Sequence, residues 1–408
     1  MWQIEHQCPQ CGAPVTVQET DHLLFCPFCR TRLYFLTGQH SYYCLPTACS
    51  DAADIRYIPY WRFKGIAFFC NESSTVTKII DTNNIAAHLG WLPYSLGVRP
   101  QVLKLRFITP ETKAVLFKPQ ISVKDLYAKI EQQIKINAFM PLSHRAFIGE
   151  TVSIIFAPII MRHGNAFDGV LNRFLASVTE TAYGDLSMFE QTEALHVKFI
   201  PCLCPSCGKD LEGEKESAVF LCVNCSSAWC LSESGLKKIE YRVLPCNDAQ
   251  EEYLPFWRIK ARIDGIELKS RADFMHLTNA SHLIKQEWEE TEFYFWAPAF
   301  KISPKPFLRL AQGVTIIQPE TADQHDIPPG SFYPVTLTAK EAAEITLIIL
   351  SEIVIPKKDF FVKLPEIAIQ AESVMLVYVP FQSCGSEFIN SKMQMCINKN
   401  TLRFGLDL

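Results

Sequence analysis

The chain has 408 residues, of which 48 % are hydrophobic and 20 % charged, and carries a formal net charge of −4. Such a length is too great for one ordinary core and implies at least two globular units of roughly 100–200 residues. The charge excludes a global field that draws in nucleic acid or an anionic membrane, although not a local basic patch. The start, Met1-Trp2-Gln3-Ile4-Glu5-His6, lacks the basic and apolar regions of a signal peptide. The longest apolar stretches, Val152–Met161 and Ile345–Ile355, fall short of the about 20 apolar residues of a spanning helix. A cytoplasmic chain without a transmembrane segment is expected. In that setting 16 cysteines point to metal more than to disulfides.

In chain order, the first cysteines read Cys8-Pro9-Gln10-Cys11-Gly12 and then Cys26-Pro27-Phe28-Cys29, with 14 residues between the two pairs. A CxxC turn aims two thiolates at one centre, and glycine after the second cysteine permits a backbone that a Cβ strains. Two such turns complete the tetrahedron that zinc prefers. A strand follows by alternation, with Tyr57, Trp61, Phe63, Ala67 and Phe69 on one face and Arg62 and Lys64 on the other. The polar face reads as solvated, as in an antiparallel sheet packed on one side. Ser95–Pro100 reads as a turn with Arg99 in a surface salt bridge. Ser122 can cap a helix over Val123–Ile134, with Val123, Leu126, Tyr127, Ile130 and Ile134 on one face. The apolar run Val152–Ala157 reads as a central strand, and Arg162-His163-Gly164-Asn165 as a solvated turn.

The second half repeats this order. Cys204-Pro205-Ser206-Cys207-Gly208 and Cys222-Val223-Asn224-Cys225 lie 196 residues beyond the first set. The same step carries Tyr57-Ile58-Pro59-Tyr60-Trp61-Arg62-Phe63-Lys64 onto Tyr253-Leu254-Pro255-Phe256-Trp257-Arg258-Ile259-Lys260. A step of 222 carries Glu150–Pro158 onto Glu372–Pro380. Tyr253, Trp257, Ile259, Ala261 and Ile263 share one strand face, and Arg258, Lys260, Arg262 and Asp264 the other. Phe293–Trp296 reads as a strand entering the core, and Ser303–Pro306 and Ile327–Gly330 as loops. Thr338 with Glu341 makes a capping box before a buried helix at Ala342–Leu350, and Val374–Val379 reads as a second central strand. Cys44, Cys49, Cys70, Cys202, Cys230, Cys246, Cys384 and Cys396 lie outside both sets; most read as small buried hydrophobes. The match to the first set favours Cys204 over Cys202 as a ligand.

The segments Gln7–Leu36 and Pro201–Leu231 resemble zinc ribbons, of the treble-turn kind found in many transcription and replication proteins. The resemblance implies two structural Zn2+ ions, one at Cys8, Cys11, Cys26 and Cys29 and one at Cys204, Cys207, Cys222 and Cys225. Arg30 and Ser226 depart from it, standing where a ribbon usually has glycine. Four thiolates leave no open position for water, so neither site is hydrolytic. Redox dithiols, unligated thiols and rubredoxin-like iron are the alternatives. The expected fold is α+β with an internal tandem duplication, each half a small ribbon plus a mainly antiparallel β domain with one main helix. The units are 1–40 (ribbon), 41–195 (α+β), 196–236 (ribbon) and 237–408 (α+β). The ribbons are expected to fold through their metal and the larger units without it.

The sequence has no nucleophile elbow, phosphate loop, dinucleotide fingerprint or HExxH. The function expected is therefore that of a zinc-binding, non-enzymatic interaction or scaffold protein with a protein partner. One alternative is nucleic-acid binding through Arg62, Lys64, Arg258, Lys260 and Arg262, whose charges sit beside aromatics on strand faces. A second is an enzyme with an unrecognised site.

Overall fold

The computed structural model describes residues 2–38, 40–48, 55–109, 112, 115–138, 142–178, 186–189, 195–245, 251–278, 284–321 and 330–405, with the backbone alone at 133–138 and 150. Its elements begin with β1 (Gln3–Gln7), β2 (Pro14–Gln18), β3 (Leu23–Phe25), β4 (Arg32–Leu36), β5 (Ser41–Cys44), β6 (Ile55–Cys70) and β7 (Thr75–Ile85). Then come α1 (Arg99–Val102), β8 (Leu105–Phe107), β9 (Val115–Leu116), α2 (Val123–Ala138), β10 (His144–Arg162), β11 (Asn165–Asp168) and β12 (Phe174–Ser177). The second half runs β13 (Lys198–Pro201), β14 (Val219–Cys222), β15 (Ser227–Ser232), β16 (Gly235–Ile239), β17 (Tyr241–Val243), β18 (Glu251–Asp264), α3 (Arg271–Leu277), β19 (Phe295–Pro298) and α4 (Pro304–Ile317). It closes with β20 (Ser331–Phe332), α5 (Ala339–Glu344), α6 (Thr346–Ile353), α7 (Lys357–Lys363), β21 (Ala368–Cys384), β22 (Glu387–Asn390), β23 (Met395–Asn398) and α8 (Lys399–Gly405). The fold is mixed α+β, with strands predominating.

Each half is built on one long antiparallel pair. In the first, β6 pairs with β10 and sets Trp61 opposite Ile154 and Pro59 opposite Phe156. In the second, β18 pairs with β21 and sets Trp257 opposite Leu376 and Pro255 opposite Tyr378. A short strand joins each pair in parallel, β5 on β10 and β17 on β21. The amide of Leu45 donates to the Phe156 carbonyl at 3.0 Å, and that of Leu244 to the Tyr378 carbonyl at 2.9 Å. The indole Nε1 of Trp61 donates to the Ile121 carbonyl at 2.6 Å and that of Trp257 to the Leu337 carbonyl at 2.8 Å. Each of those carbonyls immediately precedes a helix cap. Ser122 Oγ accepts the Asp125 amide at 3.2 Å, and Thr338 Oγ1 accepts the Glu341 amide at 3.3 Å.

The two faces of β6 depart from the one-sided strand expected. Trp61, Phe63, Ala67 and Phe69 pack under α2 with Leu126 and Ile130, on the face expected to be inward. The opposite face is also covered, in three stretches. Ile58 and Tyr60 join a core that includes Trp2, Ile4 and Ile155. Ile66, Phe68 and Cys70 join the core of the second half, where Phe68 meets Phe307 with ring centroids 6.3 Å apart. Between them stand Arg62 and Lys64, both buried. The expectation of a solvated polar face fails because ribbon 1 and the second half cover it. The sequence carried the signal in Gly65–Cys70, whose apolar side chains fall on both faces, as in strands buried on two sides.

The helices also differ from expectation. Instead of one main helix, the second half holds α3 to α8. Ser303–Pro306 is not a loop: Ser303 is the N-cap of α4 and Pro304 its first residue. Proline is well placed there, since its missing N–H belongs to a turn whose donors have no intrahelical partner. Phe307, Leu310, Ala311 and Val314 then bury one helical stripe. The helix expected at Ala342–Leu350 is two helices that meet at Ile345, the C-cap of α5 and N-cap of α6. The α2 helix runs to Ala138, past the expected Ile134, whose side chain lies outside the described ones. Cys49, Cys246 and 327–329 also lie outside the described residues.

Candidate metal centres

The two CxxC pairs of each set converge. Within each set, the four sulfurs lie within 4.8 Å of one another. Cys8 Sγ is 3.8 Å from Cys29 Sγ and Cys11 Sγ is 3.7 Å from Cys26 Sγ. In the second set Cys204 is 3.6 Å from Cys225 and Cys207 is 3.4 Å from Cys222. A tetrahedron with metal–sulfur bonds of about 2.3 Å has edges of about 3.8 Å, so both sets fit a four-coordinate thiolate site. Cys202 is not in the second set, although it is buried nearby. Cys44 and Cys70 are buried as expected, whereas Cys384 and Cys396 are exposed.

Local backbone explains why the turns close. The Gly12 amide donates to the Cys8 carbonyl and the Gly208 amide to the Cys204 carbonyl, both at 2.8 Å. The two glycines take φ of 74° and 72°. A Cβ at either would meet nothing within 4 Å, so the glycine answers a need for positive φ and not for space. Arg30 and Ser226 occupy the same left-handed region at φ 60° and 48°, at a cost of roughly 1–2 kcal/mol each. The departures from glycine therefore leave the geometry intact.

Sequence reading missed a pair of hydroxyls beside the ligands. Thr31 Oγ1 lies 3.2 Å from Cys29 Sγ, and Ser227 Oγ lies 3.1 Å from Cys225 Sγ and 3.6 Å from Cys204 Sγ. The Thr31 hydroxyl holds the Cys29 thiol down at about 6. Burial pushes Cys204 up, yet the Ser227 hydroxyl and neighbouring amides bring it to about 6. The Cys29 thiol donates to Thr31 Oγ1, whereas the Ser227 hydroxyl can donate to sulfur and so favour the thiolate, the form that binds metal. Thr31 and Ser227 stand at the same place in the two sets, so extending the 196-residue step by two residues exposes them.

The ribbons are placed differently. In ribbon 1, β1 pairs with β8 of the larger sheet, and Cys8 and Cys26 pack in one core with Trp2, Tyr60 and Ile155. In ribbon 2, β14, β15 and β16 form a separate sheet. Cys204 and Cys222 pack with Phe220 and Trp229 against Leu23 and Tyr34 of ribbon 1. The two ribbons are also hydrogen-bonded: the Leu23 amide donates to the Lys215 carbonyl at 2.9 Å, and Thr20 Oγ1 to Glu216 Oε1 at 2.7 Å. The strand leading into ribbon 2, β13, pairs with β4 of ribbon 1.

The basic residues singled out in the sequence are not one surface. Arg62 is 1 % exposed; its Nε and Nη2 donate to the two oxygens of Glu19 at 3.0 and 2.9 Å, and its Nη1 to Asp81 at 2.5 Å. Its guanidinium lies over the Trp2 ring at 3.9 Å. Arg62 and Lys64 are thereby withdrawn from any phosphate backbone. Arg258 stacks on Tyr294 at 3.4 Å, Lys260 donates to Glu292 at 2.5 Å, and Arg262 is exposed beside Asp264. Arg99 pairs with Asp168, and His163 and Gly164 form the hairpin turn between β10 and β11 with φ of 50° and 74°. Phe295 and Trp296 enter the core on β19. Among the described residues no helix is long and apolar enough to cross a membrane. No family model matches the chain, and comparison with curated proteins and with solved structures gives no match.

Proposed function

We propose that the protein is a zinc-stabilised, non-enzymatic interaction or scaffold protein, whose two four-cysteine sites are structural. The observation that carries this reading is the double tetrahedron of sulfurs. Four thiolates saturate a zinc ion and leave it no place for substrate or water, so its contribution is folding energy. The placement of the sites supports a scaffold: metal 1 orders strands that continue the first-half sheet, and metal 2 orders a sheet packed on ribbon 1. The first ion then stabilises the first half itself, and the second the seam between the ribbons. We also propose that the halves are copies of one module. The ladder registers around Trp61 and Trp257, their indole bonds and the helix caps that follow support it.

Metal analysis tests the first part. The purified chain holds two zinc ions, and Cys8→Ser or Cys204→Ser each removes one. Protein made with adequate zinc yet lacking it, or holding iron in its place, refutes the assignment. A nuclease-treated pull-down from the native cell tests the second part, with recovery of a defined protein partner as the expected result.

A further inference from the structure

Arg62 shows what a guanidinium at its place in this fold takes up: a carboxylate, Glu19, held by two parallel hydrogen bonds, and an aromatic ring, Trp2, stacked on the same group. Both come from ribbon 1. The ladder puts Arg258 in the corresponding place, opposite Trp296 as Arg62 is opposite Asn83. Two residues back along the neighbouring strand stand the side chains that each arginine touches, Asp81 for Arg62 and Tyr294 for Arg258. In the second half the charge of Glu292 acts on Arg258, but its oxygens bond to Lys260 and the Tyr294 hydroxyl, and no described residue forks onto Arg258 as Glu19 does onto Arg62. Arg258 is only partly buried, forms no ion pair among the described residues, and faces an open groove of about 510 Å³.

The groove has a second such group. Arg271 stacks on Trp288 at 4.1 Å and forms no ion pair among the described residues; its Nη2 donates to the Ile317 carbonyl at 3.1 Å, and its Nε has no partner. The wall is braced by Gln318, which caps α4 in the left-handed region at φ 51°. Its side chain accepts from the Tyr294 amide at 3.2 Å and donates to the Tyr294 carbonyl at 2.5 Å. Two guanidinium–aromatic pairs are thus held on a fixed frame before any ligand arrives, which lowers the ordering cost of binding.

We propose that this groove binds a peptide segment of a partner protein, one that carries a carboxylate beside an aromatic side chain, with Arg258 and Arg271 taking the carboxylate and the ring packing against Trp288 and Tyr294. Arginine suits this because its planar fork matches a carboxylate and its face stacks on aromatics. The rim argues for a peptide over nucleic acid. Glu287, Glu292 and Glu320 stand exposed there. These carboxylates repel a continuous run of phosphates along its whole length, whereas a short peptide segment brings only one or two negative charges to the two arginines. This proposal rests on the reading of the chain as an interaction protein.

The test uses the full chain loaded with zinc and fluorescence anisotropy with three labelled probes: the C-terminally amidated peptide GEWEG, its uncharged and likewise amidated form GQWQG, and a ten-residue single-stranded oligothymidine. GEWEG is expected to bind saturably and at least about ten-fold more tightly than either other probe, since charge-assisted bonds contribute about 1.5–3 kcal/mol. Arg258→Lys and Arg271→Lys, which keep the charge and lose the fork, each weaken it about ten-fold while zinc content and thermal transition stay unchanged. Equal binding of GEWEG and GQWQG, no effect of either substitution, or tighter binding of the oligonucleotide overturns the proposal. If GEWEG fails to bind yet a nuclease-resistant protein partner is recovered from both lysine variants, the groove is refuted and the interaction reading stands. If no protein partner is recovered at all, the interaction reading itself is lost.

Discussion

Cys26 and Cys222 occupy the same position in their ribbons, and both are 0 % exposed. Their surroundings are not alike. Cys26 lies in a core shared with β6 and β10, so that the first four-cysteine site is built into the core of the first half. Cys222 lies in a small cluster made with ribbon 1, so that the second four-cysteine site stands at a joint. The same local chemistry therefore has two structural consequences, and the difference comes from what packs on the ribbon. It also divides the expectation that the larger units fold without metal: that independence suits the second half better than the first.

The largest effect expected breaks or confirms this asymmetry. Structural zinc contributes on the order of 10 kcal/mol at neutral pH. Cys26→Ser is expected to remove one ion and to abolish amide-exchange protection across Ile154–Ala157. Cys222→Ser removes the other ion and leaves Val374–Val379 protected, with loss confined to β14–β16 and the facing part of ribbon 1. Equal loss in both central strands would show that the two metals are equivalent after all.

A second contrast lies in the paired arginines. Glu19 and Arg62 are both 1 % exposed, and removing one member of such a pair leaves the other charge buried. Glu19→Gln is expected to cost about 3–5 kcal/mol in denaturant unfolding at saturating zinc. Arg258→Met loses one partly exposed stacking contact and is expected to cost about 0.5–1 kcal/mol. Similar costs would mean that Arg258 has a carboxylate partner in solution.

A third sharpens the comparison between turns. Asp21 and Ser217 each close a turn, accepting the amides of Gln18 and Glu214 at 2.8 Å. Only Asp21 can carry a charge, and burial raises it to about 6, against 3.8 for an ordinary aspartate, although the Gln18 amide pulls the other way. The folded state thus prefers the protonated form. Asp21's relative contribution to stability is fully present below about pH 4, is lost as pH rises towards 6, and stays lost above it. Asp21→Ser is expected to gain up to about 3 kcal/mol at pH 7–8 over the wild type, a gain that disappears near pH 4. A gain independent of pH would place the effect outside titration.

The smallest effect tests likeness instead of difference. Trp61→Phe and Trp257→Phe each remove an indole bond to the carbonyl before a helix cap. Each is expected to cost about 1–3 kcal/mol, because a buried carbonyl is left unsatisfied. The two costs should agree within about 0.5 kcal/mol. A large disparity would weaken the reading of the halves as copies.

The sequence by itself determined the features that depend on residue type and short spacing. The two four-cysteine clusters are legible because a CxxC turn is local and its chemistry has few alternatives. The helix starts at Ser122 and Thr338 are legible because caps are local too. The central strands at Val152–Ala157 and Val374–Val379 follow from largely apolar runs, broken only by Ser153 in the first. What lies over each element was decided only by tertiary structure. Arg62 and Arg258 stand in matching eight-residue motifs, yet one is buried against Glu19 and Trp2 while the other lines a groove. Likewise α4 forms with prolines at its first and third residues because its stripe of Phe307, Leu310 and Val314 found a core to fill. The physical reason is common to both cases: backbone geometry and metal chemistry act over a few residues, whereas burial depends on surfaces supplied by distant segments of the chain.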